Sequence, residues 1–259
     1  ADETVNREAE NRIANDEETL QNMVEREKKQ LESDPENINL YRDVAQHLRA
    51  LKRFGEALEF IKKARTLPMG QADTTLEKLE QDLVLSDMDM RISSVKEKLD
   101  ANPDDADAKK EYEALKKEEH AFRLENAKRM VERYPNDFNF RFNLGQLLLE
   151  DGDLDGAIAQ FQLSQRNPKV RALSLLGLGR AFIGGKKYDL AVDQLITAKK
   201  ESLTMNDAKK EIIYELASAY ELMNNPEKAF IEYKEIYSSD IGYKDVAAKI
   251  NAYYESRNK

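Results

Sequence analysis

Four segments of this chain obey one spacing rule. LKRFGEALEFIKKA (51–64), DGDLDGAIAQFQLS (151–164), GKKYDLAVDQLITA (185–198) and MNNPEKAFIEYKEI (223–236) each open in a polar turn containing Gly or Pro and run into a helical pattern. Their aligned alanines are Ala57, Ala157, Ala191 and Ala229, and 12 residues before each stands another small residue: Ala45, Gly145, Gly179 and Ala217. Two antiparallel helices joined by a short turn need small residues where their axes approach closely. The rule therefore predicts stacked helix pairs and leaves little room for any other arrangement. Ala157 and Ala191 lie 34 residues apart; Ala191 and Ala229 lie 38 apart, which places a small insertion around Leu203–Asp207.

The residues around these pairs carry a further pattern. Leu144-Gly145, Leu148, Ala157, Phe161 and Pro168 fit one unit; Leu178-Gly179, Phe182, Tyr188, Ala191, Leu195 and Ala198 fit the next. Leu216-Ala217, Tyr220, Ala229 and Tyr233 fit a third, and Tyr41, Val44-Ala45, Leu48, Phe54, Ala57, Ile61 and Ala64 fit an early one. This resembles the tetratricopeptide repeat, whose period is about 34 residues. The resemblance implies an all-α, TPR-like solenoid, a right-handed superhelix that holds a peptide or protein on its concave face. That face is lined by the first helix of each unit. Here it would present Asn139, Phe142, Gln146 and Leu149, then Leu173, Leu176, Arg180 and Ile183, then Glu211, Tyr214 and Ser218. Some members of the family hold the carboxylate tail of heat-shock chaperones in a basic clamp. The clamp positions read Phe142, Gln146, Asn143, Leu173 and Gly177, of which only Asn143 fits.

The early unit and the later three are separated by 100 residues between Ala57 and Ala157. Leu85, Met88, Ile92, Val95 and Leu99 repeat at intervals of 3, 4, 3 and 4, a coiled-coil-like seam. Asn102-Pro103 ends that stretch, and a second helical pattern runs to about Tyr134. We read an elongated antiparallel helical hairpin inserted between the first and the later repeats, with two degenerate repeats of ordinary length as the alternative. The organisation is then an acidic N-terminal helix (1–34) with a thin stripe of Ile13, Leu20, Val24 and Leu31, a first repeat (35–70), the hairpin (71–136), three repeats (137–240) and a C-terminal capping helix (241–259).

Composition removes most chemistry. No cysteine is present, so thiol nucleophiles, disulfides and Cys-based metal sites are excluded. His47 and His120 are the only histidines, with no sequence-near arrangement that suggests a triad. Asp151, Asp153, Asp155 and Gly156 open like a calcium loop, but position twelve is Gln162 instead of the required Glu, and the same residues suit a helix-pair turn. Gly177, Gly179, Gly184 and Gly185 lack the phosphate-loop spacing. We expect no catalytic residue, cofactor or metal.

Charge narrows the partner. The net charge is −9, and residues 1–34 alone hold 11 acidic and 5 basic side chains. Nucleic acid is therefore not the expected partner. Between Gly156 and Tyr188 there is no acidic residue, while Arg166, Lys169, Arg171, Arg180, Lys186 and Lys187 are basic. The ligand class read from this is an acidic peptide with apolar anchors. No stretch approaches the roughly 18 apolar residues of a membrane span. The chain begins with Ala and reads as processed or excised from something longer, cytoplasmic, with periplasmic or membrane-tethered settings as alternatives. The function expected is a non-enzymatic scaffold; the alternative is a homo-oligomeric assembly subunit that associates through the hairpin or the first helix.

Overall fold

The computed structural model describes residues 2–257, with side chains from Asp16 onward. Ile13 of the expected N-terminal stripe lies outside the described side chains. Among the described residues there are twelve α-helices and no strand. They are α1 (Asp2–Ser33), α2 (Ile38–Ala50), α3 (Phe54–Thr66), α4 (Thr74–Ala101), α5 (Ala106–Arg133), α6 (Phe138–Glu150), α7 (Leu154–Ser164), α8 (Arg171–Gly184), α9 (Tyr188–Glu201), α10 (Asp207–Leu222), α11 (Pro226–Ser239) and α12 (Val246–Arg257). The chain divides into two compact units, Ala1–Glu119 and His120–Lys259, with the dividing point inside α5.

In the first unit each helix packs on the next from α1 to α4. Val24 and Leu31 of α1, Val44, Ala45 and Leu48 of α2, and Ala57, Ile61 and Ala64 of α3 share a core with Leu76, Leu79 and Leu83 of α4. The seam expected on α4 is therefore displaced in its first half, where Leu83 and not Leu85 is buried. The reason is a change of neighbour: the start of α4 faces α3, and only its end faces α5. There Val95, Ala108 and Leu115 form a separate small cluster with Ile92, Leu99 and Tyr112. Glu119, read from the sequence as part of a solvated face, is buried, and its carboxylate accepts a hydrogen bond from Lys116.

The second unit stacks α6 through α12 in chain order. Four of its helix starts follow from side chains that can accept from free backbone N–H groups. Asp137, Asp153, Asn206 and Asn225 each accept from the first turn of the helix they precede. The turns within the helix pairs share one device across both units. Lys52, Gly152, Lys186 and Asn224 all have positive φ (57, 77, 56 and 56°), and each stands five residues before an aligned alanine. In each, this residue's N–H reaches back three residues and the next residue's N–H reaches back five, as in Lys186 to Ile183 O (2.9 Å) and Lys187 to Phe182 O (2.8 Å). This is the Schellman closure of a helix, and it fixes the reversal into the second helix. The longer connection is Ser202–Asn206, between α9 and α10, where Leu203 is 90% exposed.

The small residues lie where the helices touch. A Cβ on Gly145 would stand 2.9 Å from Phe161, one on Gly177 2.5 Å from the same ring, and one on Gly179 2.5 Å from Leu195. The two glycines of α8 are thus occupied by packing. Leu in place of Gly179 must push α8 and α9 apart, and overpacking of this kind costs about 1–3 kcal/mol. A melting temperature equal to that of the parent would refute the register. The turn residue gives a prediction of opposite sign. A left-handed conformation costs a non-glycine residue roughly 1–2 kcal/mol, partly offset by glycine's greater freedom when unfolded. Lys186→Gly should raise stability by about 0.5–1 kcal/mol in urea titration, and Gly152→Ala should lower it; the reverse order would contradict the turn geometry.

Candidate partner-binding groove

In the second unit the first helices of successive pairs are neighbours: α6 touches α8, and α8 touches α10. The residues expected on this face divide into an open part and a filled part. On α6, Asn139, Asn143 and Gln146 are exposed. Asn139 accepts a long hydrogen bond from Asn167 (3.5 Å). Phe142 is half-buried with its ring 6.0 Å from that of Phe161, and Leu149 is half-buried against the same core. On α8, Leu173 is 37% exposed and Ile183 half-buried. Leu176 requires a correction. It is only 6% exposed, because α8 is packed from both sides by α7 and α9, and residues 174–179 all sink into the core. It offers a ligand almost nothing.

Arg180 requires a second correction. The sequence reading gave it the task of steering an acidic ligand, but its guanidinium is already spent. Nη2 donates to Glu211 Oε1, and Nε donates to Glu215 Oε1 at 2.8 Å. Glu211 gathers three donors in all. Its Oε2 accepts from the Tyr243 hydroxyl and the Lys244 ammonium, both at 2.6 Å. Lys244 Nζ also sits 4.2 Å from the centroid of the Tyr214 ring. The Tyr214 hydroxyl donates to Asp245 at 2.8 Å, Ser218 Oγ is 3.4 Å from the Tyr233 hydroxyl, and Tyr233 donates to Glu221 at 3.1 Å. The α10 end of the face is thus filled by the protein's own side chains.

Sequence reasoning missed Glu215, Tyr243 and Lys244, and a signal existed. Arg180 precedes Glu211 by 31 residues and Glu215 by 35, about one period. Arg42–Asp73, Arg171–Glu201 and Lys199–Glu232, at separations of 31, 30 and 33, are the same kind of pair. The two histidines are paired as well. His47 Nδ1 lies 2.9 Å from Glu27 in the first unit, and His120 Nε2 lies 2.6 Å from Asp151 in the second. Asp153 of the calcium-like run caps α7 by accepting from Gly156 N at 3.0 Å. Among the described residues no group of three or more His, Asp or Glu gathers where it could hold a metal, and no helix is long and apolar enough to cross a membrane.

The tetratricopeptide repeat family model matches residues 127–159, from the end of α5 into α7. That stretch therefore carries a tetratricopeptide repeat. The described residues fold as all-α helical repeats. Among curated proteins no sequence matches the chain. Solved structures similar to this chain include MamA (20% identity over 57% of this chain and 84% of that one, TM-score 0.48). YrrB, described as having an unusual peptide-binding site, shares 22% identity over 69% of this chain and 93% of its own, with a TM-score of 0.42. A tetratricopeptide repeat protein from Parabacteroides merdae shares 14% over 90% and 91%, with a TM-score of 0.44. Against two larger solved chains this protein spans 39% and 46% of their length.

The tyrosines of the filled part hold their protons. Burial raises the Tyr214 phenol first, and its hydrogen bond to Asp245 adds to this, so it is pushed up to about 12 from the ordinary 10.0. Burial likewise raises Tyr233 and Tyr243, the latter helped by Glu211. Burial alone would raise Glu211 too, but the hydrogen bonds from Lys244 and Tyr243 and the nearby Arg180 outweigh it and hold the carboxylate below its usual range. A phenol whose folded pKa is raised contributes stability that is complete below the unfolded pKa and is lost as pH climbs through the folded one. Stability should therefore fall as pH rises from 10.0 towards about 12, with phenolate absorbance rising as the second unit unfolds. Tyr214→Phe should make the fall shallower; an identical profile in that variant would mean that Tyr214 is solvated.

Proposed function

We propose that this protein is a non-enzymatic scaffold that holds a segment of another protein on the first-helix face of residues 137–240, chiefly between α6 and α8. One observation carries the reading: that part of the face offers exposed amides and half-buried apolar side chains, while its one cation is neutralised from within. Gln146 and Asn143 can donate to and accept from a ligand backbone. Leu173, Phe142 and Ile183 supply apolar contact, and exposed apolar surface of this kind marks interaction sites. Asn139 and Leu149 flank these groups. Tyr214 and Ser218 bound the groove at its filled end.

The ligand class follows from the electrostatics. With Arg180 paired, an acidic ligand gains no free partner in the groove. The segment that fits is apolar and weakly charged. A peptide library displayed against the protein should enrich such sequences, and their binding should persist in 1 M salt, where charge interactions are screened within about 3 Å. Leu173→Arg should abolish capture while leaving helicity intact. Enrichment of strongly acidic sequences, or undiminished capture by Leu173→Arg, would overturn the assignment.

A further inference from the structure

The α10 end of the first-helix face is closed by the chain itself. Residues 240–245, which connect α11 to α12, fold against α10 there through Tyr243, Lys244 and Asp245. Lys244 sits in a site with the chemistry of an ammonium cage. Its Nζ donates to Glu211 Oε2 at 2.6 Å and stands 4.2 Å from the centroid of the Tyr214 ring and 5.6 Å from that of Tyr243. Aromatic rings attract a cation through their negative faces, and a carboxylate accepts its protons in charge-assisted hydrogen bonds.

Two observations set this contact apart from an ordinary surface ion pair. The first is backbone strain: Lys244 has a φ of 45°, in the left-handed region. Among the described residues the other non-glycine residues there are Lys52, Lys186 and Asn224, and each closes the first helix of a pair. Lys244 lies between pairs and closes none. Strained backbone of this kind clusters at ligand clamps and switch regions. The second is charge. Glu211, Glu215 and Asp245 meet Arg180 and Lys244 at this end, three carboxylates to two cations. Nearby Lys210 is matched by Asp207 and Asp240. The Lys244 side chain is already 40% exposed. When it swings out, three carboxylates face one cation, and Glu211 Oε2 and the Tyr214 ring are open to another.

We infer that Lys244 is an internal stand-in, and that a lysine of the bound protein segment displaces it from the site formed by Glu211 and Tyr214. The inference deepens the proposed function and rests on it for the rest of the segment: the apolar part lies between α6 and α8, and the lysine reaches α10. The ammonium site itself uses none of the apolar residues of α6 and α8.

The site is read with n-butylammonium chloride, a lysine side chain without its backbone. It is titrated at constant ionic strength while the Tyr214 and Tyr243 ring signals of the full chain are followed by NMR. Lys244→Gly empties the site and suits the left-handed φ. This variant should bind butylammonium saturably, about tenfold or more tighter than the parent. In the same background Tyr214→Phe should keep the binding, while Tyr214→Leu and Glu211→Gln should lose it. Equal titrations of parent and Lys244→Gly would overturn the inference. The partner is read by selecting one displayed peptide library on both proteins. Lys244→Gly should enrich sequences with a lysine at a fixed distance from the apolar residues, and norleucine in its place should cost about tenfold in affinity. A variant pool without lysine preference would overturn the inference and leave the apolar groove standing. The groove reading fails through Leu173→Arg instead, a change that leaves the butylammonium titration as it was.

Discussion

The contact on which the second unit depends is the Phe161 ring held between Gly145 and Gly177. One side chain, fully buried, touches the first helix of its own pair and the first helix of the next. Burying such a ring contributes roughly 1.5–3 kcal/mol, but its position matters more than its area. It sets how near α7 comes to α6 on one side and to α8 on the other. The ring fits only because two side chains are missing. Every later element inherits the spacing: α8 takes α9 at the same small distance through Gly179 and Leu195, and the face shared by α6, α8 and α10 follows from that stacking.

Charges then tie one repeat to the next. Lys199 meets Glu232 and Glu235, each at 2.6 Å, and Lys210 meets Asp240 at 2.9 Å. These pairs are half-buried; pairs near the surface contribute little individually, typically below about 1 kcal/mol. The Glu211 cluster is different in that one carboxylate gathers three donors, and its members hold one another in place. It joins α8, α10 and the approach to α12, and it removes free charge from the face where a ligand would lie. On the proposed reading, specificity there would rest on shape and on amides.

Much of this was legible from residue spacing. Small residues at fixed intervals announced the helix pairs, since close approach of helices allows nothing larger. The insertion near Leu203 was visible because it broke the period. Other features left no local trace. Lys, Gly, Lys and Asn share a left-handed turn without sharing chemistry, so position alone identifies it. Arg180 looked free because its partners lie a whole period away in sequence. Leu176 looked available because a helical wheel shows one neighbour where α8 has two. Leu83 replaced Leu85 because α4 changes partners along its length, which a single periodicity cannot express.

The connection between α9 and α10 has a consequence for chain connectivity. Ser202–Asn206 is exposed at Leu203, α9 and α10 on either side pack on each other, and the Lys199–Glu232 pair (2.6 Å) ties α9 to α11. Exposed loops of this sort are where chains are nicked and where insertions are tolerated. The covalent bond across this loop therefore adds little that the side chains do not already provide. New chain ends placed there, as in a circular permutant, would leave the order of the stack unchanged, since that order is written in the contacts between helices and not in the path that links them.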